Sequence, residues 1–190
     1  MKTLMISLKI FLFFTVLTGI IYPLVVTGIA QVVFPSKANG SLIVRNEKII
    51  GSELIGQQFD SAVYFSSRPS AGLYNPLPSG GSNLGPTSSK LKSLVGERQN
   101  KFRTFNQLDS TTVIPSEMLF ASASGLDPHI SPEAALLQVN RIAQARRFND
   151  SQKQQLIREI HKQTEKPQLF CLGEERINVL LLNLKTDEIK

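Results

Sequence analysis

The 190-residue sequence contains one cysteine, Cys171, and two histidines, His129 and His161. One cysteine cannot close an internal disulfide, so no disulfide framework holds this chain. Its neighbours Leu169, Phe170 and Leu172 predict a buried apolar position for it, and no adjacent motif would lower its pKa. Two histidines are a thin basis for a zinc site, which usually draws several His or Cys ligands. Asp127, His129 and Glu133 lie close together, but Glu133 suits a helix N-terminus and Asp127 a turn, so no metal is expected. The chain has no G-x-S-x-G, and Ser122 and Ser124 sit among small residues, ASASG, where close packing accounts for them. It has no G-x-x-x-x-G-K either, the arrangement whose lysine reaches a nucleotide's phosphates. No carboxylate pair stands out for acid–base work. The residues therefore read as a non-enzymatic chain.

Charge is also missing, from Ile10 to Ser36, and this absence is the most informative. A helix of roughly 20 apolar residues crosses a bilayer core. The run exceeds that length and predicts a membrane span over 10–36, with a short tail, 1–9, before it and one soluble domain, 37–190, after it. A cleaved signal peptide is the rival reading, with small residues at Gly28-Ile29-Ala30. Signal h-regions are shorter, about 7–15 residues, which favours a retained anchor. Lys2 and Lys9 precede the span with no acid beside them, whereas Lys37, Arg45, Glu47 and Lys48 follow it more dilutely. Positive residues next to a span stay in the cytoplasm. The N-terminus is expected inside and the soluble domain outside.

About 150 residues follow the span, enough for one domain with a real core. Of the net charge of +6, Lys2 and Lys9 supply two, so the body is only mildly basic. The Lys101-Phe102-Arg103 patch could mimic a nucleic-acid stripe. However, Leu91, Leu94, Val95, Phe102 and Phe105 share helical spacing and are expected to face a core, so nucleic acid is not a partner.

Along the body, SLIVRNEKII at 41–50 predicts a β-hairpin around Arg45-Asn46-Glu47. Tyr64-Phe65 reads as a short strand. Residues 66–89 are rich in Gly, Pro, Ser and Asn but carry Leu73, Tyr74, Leu77 and Leu84, the marks of an ordered loop packed on something. Helices are expected over about 86–105, from 115 towards Gly125, and from the Ser131-Pro132-Glu133 start to about Phe148, burying Leu136, Val139 and Ala143. Another follows from an Asn149-Asp150-Ser151 cap to about Lys162. RINVLLLNL at 176–184 reads as a buried strand, with a short helix as the alternative. The fold class expected is α+β: one transmembrane helix, then a soluble domain with a small sheet and several helices. Ser79-Gly80-Gly81-Ser82-Asn83 could form an anion-binding nest, but a tight turn is the simpler reading.

The motifs SELIGQQF, YFSSRPSA, YNPLPSGGSNLGPTS, ASASGLDPHISPEAALLQVNRIAQAR and LGEERINVLLLNL follow the single span in that order. On them the chain resembles the C-subunit family of the bacterial Kdp potassium-transporting ATPases, over nearly its full length. The resemblance implies a non-catalytic subunit of a four-component potassium uptake pump in the inner membrane. Its partners would be a channel-like potassium-translocating subunit, a P-type ATPase subunit and a small stabilising subunit. No cofactor would be held firmly; potassium is the transported ion, and ATP would be met only through the complex. Two family pictures compete: a catalytic chaperone that raises ATP affinity in the ATPase subunit, and an external domain near the potassium entrance. The first would place nucleotide contacts on Ser79, Gly80, Gly81, Ser82, Asn83 or Gln138; the missing phosphate-binding lysine argues against it. Docking to partners is expected through the loop from Tyr74 to Thr87 and the segment from Gly125 to Arg147, with Tyr74, Asn75, Asp127, His129 and Arg141 as candidates. One departure is Asn140, where the family is expected to favour proline. If the resemblance misleads, the alternative is a membrane-anchored periplasmic binding module.

Overall fold

An uninterrupted helical rod, Lys2–Val33, opens the chain, and none of its residues is buried against the rest of the protein. The structure, a computed structural model, describes residues 2–189. The rod comprises α1 (Lys2–Val16), one π-helical turn (Leu17–Ile21) and α2 (Tyr22–Val33). The π turn has a local cause. Pro23 has no N–H to offer Gly19 four residues back, and the ladder adjusts just before it, with the Tyr22 N–H donating to the Leu17 carbonyl. The hydroxyls of Thr15 and Thr18 donate to the carbonyls of Phe11 and Phe14, so neither is left unsatisfied on an apolar rod. At 32 residues it is long and apolar enough to cross a membrane.

After a short helix, α3 (Pro35–Ala38), the hairpin expected from the sequence forms as β1 (Leu42–Arg45) and β2 (Lys48–Ser52). Asn46 and Glu47 both take positive φ, the turn geometry that matches strand twist. The chain divides at Ser52 into two compact units.

The regular structure of the second unit, from Glu53, is almost all helical: α4 (Ser89–Asn106), α5 (Pro132–Leu136), α6 (Val139–Arg146), α7 (Asp150–Gln163) and α8 (Val179–Asp187), joined by long loops. Its sheet is a two-residue antiparallel pair, β3 (His129–Ile130) with β4 (Ile177–Asn178). The core gathers Phe65, Ile130, Ile142, Leu156, Ile160, Ile177 and Leu182, all but excluded from solvent. Caps fix the helix starts as the sequence implies. The Ser131 hydroxyl accepts the Ala134 N–H, and Asn149 and Gln152 form a reciprocal capping box. Of the residues expected at helical spacing to face a core, Phe102 is buried, while Leu91, Leu94, Val95 and Phe105 are only half-buried.

Several sequence expectations are corrected. Tyr64-Phe65 lies outside the strands. The segment after Pro115 makes only a 3₁₀ turn, Ser116–Met118. The helix expected from Ser131 to Phe148 breaks at Leu137-Gln138, which leaves Leu136 exposed while Val139 and Ala143 stay buried. Asn140 is thus the second residue of α6, in the first turn, where a helix does not need the N–H. RINVLLLNL pairs as strand only at Ile177-Asn178; Asn178 then caps α8, accepting the Leu181 N–H. Val179, Leu182, Asn183 and Thr186 are buried together at helical spacing. Cys171 is exposed, at the tip of a loop rather than in the core.

Candidate docking surface

Two buried amides and two arginines hold the segment that leads into the long loop. The Phe65 N–H donates to Asn183 Oδ1 at 2.7 Å, and Asn183 Nδ2 donates to the Phe65 carbonyl at 3.0 Å. The Ser66 N–H donates to Gln138 Oε1 at 2.8 Å, and Gln138 Nε2 donates to the Ala134 carbonyl at 3.2 Å. Side-chain amides here do what a neighbouring strand would do, satisfying buried backbone groups. The Arg141 guanidinium donates to the carbonyls of Ala62 at 2.6 Å and Tyr64 at 3.0 Å, to Asn106 Oδ1 at 2.8 Å and to Gln138 Oε1 at 2.9 Å. It also lies 4.3 Å from the centre of the Phe105 ring. Burial pushes its pKa down to about 10, so it stays charged at neutral pH. Arg146 donates to the Val63 carbonyl and pairs with Asp187, both at 2.7 Å. Sequence reasoning missed Asn183 and Asn106 altogether, because their partners lie far along the chain.

The loop that follows is folded on itself and on the 122–127 segment. Arg68 pairs with Asp127 at 2.6 Å, and Asp127 Oδ1 accepts the His129 N–H at 3.0 Å. Burial raises the Asp127 pKa, but hydrogen bonds from the His129 ring and backbone, then the Arg68 charge, outweigh it and bring it to about 2. The Tyr74 hydroxyl donates to the Arg68 carbonyl, and burial pushes its pKa up to about 12. The Gly80 N–H donates to the Ser124 carbonyl at 3.0 Å. Gly125 takes φ +72°, and a side chain there would meet the Gly80 carbonyl oxygen at 3.0 Å. The small residues of ASASG therefore allow two backbones to touch.

This geometry places the residues singled out from the sequence in two groups. Tyr74, Asp127 and His129 come together at a partly exposed seam, with Asn75, Ser79, Ser82 and Asn83 open to solvent beside it. Arg141 and Gln138 are interior, their polar atoms committed to the 61–66 segment, and Arg141 presents no docking surface. Of the candidate phosphate cradle, the Gly80 N–H is already used. Behind the seam a cleft of about 620 Å³ opens between the loop and α4, lined among others by Phe59, Arg68, Tyr74, Arg98, Lys101 and Phe105. Among the described residues no three His, Cys, Asp or Glu side chains stand close enough to hold a metal ion. Asp127 is a fixed charge at neutral pH and His129 Nδ1 lies 3.4 Å from it, so the seam can pair charges and hydrogen-bond a partner.

Comparison with known proteins matches residues 4–188 to the family described as K+-transporting ATPase, c chain (KdpC). Proteins named potassium-transporting ATPase KdpC subunit are similar over the whole length. One from Geotalea uraniireducens is 46% identical, with 100% of this chain and 99% of that protein covered. One from Mycobacterium bovis is 45% identical, with 99% of each covered, and one from Geobacter sulfurreducens is 49% identical, with 100% and 99% covered.

Proposed function

The chain belongs to the KdpC family, the C chains of potassium-transporting ATPases, and from that membership we propose that it serves as a non-catalytic subunit of an ATP-driven potassium uptake pump. The carrying observation is the full-length match, which includes the apolar helix as well as the folded domain. In this reading Lys2–Val33 anchors the chain once in the bacterial inner membrane, with the N-terminus inside and the domain outside. The charge asymmetry around the span supports that orientation. The domain stabilises the assembly by docking on the channel-like subunit through the seam of Tyr74, Asn75, Asp127 and His129 and the adjoining 75–83 loop. A P-type ATPase subunit and a small stabilising subunit complete the complex, and potassium passes through the channel-like partner.

The alternative family picture, a chaperone that raises ATP affinity, draws less support from this geometry. Gln138 is enclosed, and the Ser79–Asn83 backbone lacks a lysine and has already spent one N–H. An outside domain would also be separated from cytoplasmic ATP.

The test is purification of the tagged full chain in mild detergent from membranes containing its neighbours, with protease added first to intact spheroplasts. The expected result is co-purification of large membrane subunits and cleavage of the domain from outside. A chain that leaves the membrane alone would contradict the subunit reading. A domain protected in spheroplasts and cleaved only after lysis would reverse the orientation and restore ATP contact.

A further inference from the structure

A second feature stands apart from the seam. After α7 the chain forms a narrow two-rung stalk. Glu165 and Arg176 exchange backbone hydrogen bonds at 2.8 and 3.1 Å and form an ion pair at 3.0 Å. Gln168 and Leu172 exchange two more at 2.9 Å. Beyond the second rung the chain turns through Leu169 and Phe170, both at positive φ, where side chains of their size are uncommon. Leu169 is 79% exposed, Phe170 94% and Leu172 57%, with Cys171 exposed between them. All nine residues from Gln168 to Arg176 are exposed, so none of the described residues of the second unit covers this tip. Single exposed apolar residues need no explanation, but four in succession on a projecting turn mark a surface that another phase or molecule covers.

We propose that this tip inserts into the lipid–water interface of the membrane in which the chain is anchored. Three observations select lipid over a protein partner. The tip is layered: an apolar end, Leu169 to Leu172, stands ahead of charged residues on both strands of the stalk, Glu165 and Lys166 on one and Glu174, Glu175 and Arg176 on the other. That order matches the change from acyl chains to headgroups across a bilayer surface. The tip is also small. A stable protein interface takes about 800 Å² from each partner, more than four side chains on a turn supply, whereas a fluid bilayer can close around a projection from all sides. Finally, the same chain carries the helix Lys2–Val33, which holds a bilayer at high effective concentration, so a weak insertion suffices. The collar has three acids and two bases, so attraction to anionic lipid contributes nothing and apolar burial drives the contact. The proposal rests on the anchor reading above and adds a second membrane contact to it.

The experiment uses the only cysteine in the sequence, which sits on the tip. The full chain is labelled at Cys171 with an environment-sensitive maleimide dye and reconstituted through its own helix into phosphatidylcholine vesicles. Flotation with the vesicles reports anchoring separately. The expected result is emission shifted to shorter wavelength, with quenching by nitroxide-bearing lipid several-fold stronger than by aqueous iodide. It should be unchanged by high salt or by added anionic lipid, and reversed by Phe170→Asp in the labelled chain. A floating chain whose dye stays water-like and open to iodide overturns the insertion alone. The same shift in Phe170→Asp shows that the dye inserts and not the tip, and also overturns it. In the assembled pump, a dye shifted but shielded from both quenchers would place the tip in a protein socket instead. A chain that fails to float removes the anchor on which the proposal stands.

Discussion

Asp127 shows how a single residue links the seam to stability. Its role in a turn is legible from LDPH, and the structure gives that turn as an Asp127 carboxylate accepting the His129 N–H. Its partner Arg68, 59 residues earlier, is beyond any local pattern. The folded carboxyl has a pKa of about 2 against an ordinary 3.8. A carboxyl held below its unfolded value stabilises the fold above the unfolded pKa, and that contribution is lost as pH falls through the folded one. The window therefore runs from about pH 4 down to about pH 2. The side chain is partly open to water, so screening reduces the contribution to about 1 kcal/mol. Asp127→Asn should flatten that acid limb by this amount, read as unfolding free energy against pH for the full chain in detergent, and leave the profile above pH 5 parallel to the wild type. An unchanged acid limb would show that the Arg68–Asp127 pair carries no linkage.

At the scale of elements, the clamp on residues 61–66 explains both what the sequence revealed and what it hid. Helices with strong local signals were legible: α7 from its Asn149 cap, the start of α5 from Ser131-Pro132-Glu133, and the hairpin from two β-branched runs about a polar turn. Elements decided by distant partners were not. VLLLNL is apolar at both strand and helix periods, and only the burial of Asn183 against Phe65 shows which face points inward. The break at Gln138 follows a buried amide serving Ser66, 72 residues earlier. Cys171 looked buried because apolar neighbours usually are, yet that block lies at a tip. Of the candidate site, ASASG was legible as small residues in close packing and the 66–89 loop as ordered, whereas their contact with each other and the interior position of Arg141 were not. Removing the clamp tests this directly. Arg141→Met leaves the Ala62 and Tyr64 carbonyls and Asn106 Oδ1 without their donor. Buried groups left unsatisfied cost about 1–3 kcal/mol each before relaxation, so a net loss of about 3 kcal/mol is expected. Limited proteolysis should then cut first between residues 57 and 75. A variant as stable as wild type and cut elsewhere would show that the segment is held by apolar packing instead.

For the molecule as a whole, the division at Ser52 separates two tasks. The first unit carries an apolar helix with its hydroxyls satisfied internally, suited to lipid. The second carries a core of its own, and polar contacts join its loops in a seam. That division suits a subunit acting through contacts with larger partners. The measurement that tests this most directly is potassium-stimulated ATPase activity of the detergent-purified pump prepared with and without the chain, followed by add-back of the purified full chain. The account predicts loss of most potassium-stimulated turnover without the chain and recovery on add-back, with no hydrolysis by the chain alone. Full potassium-stimulated activity in its absence would contradict it.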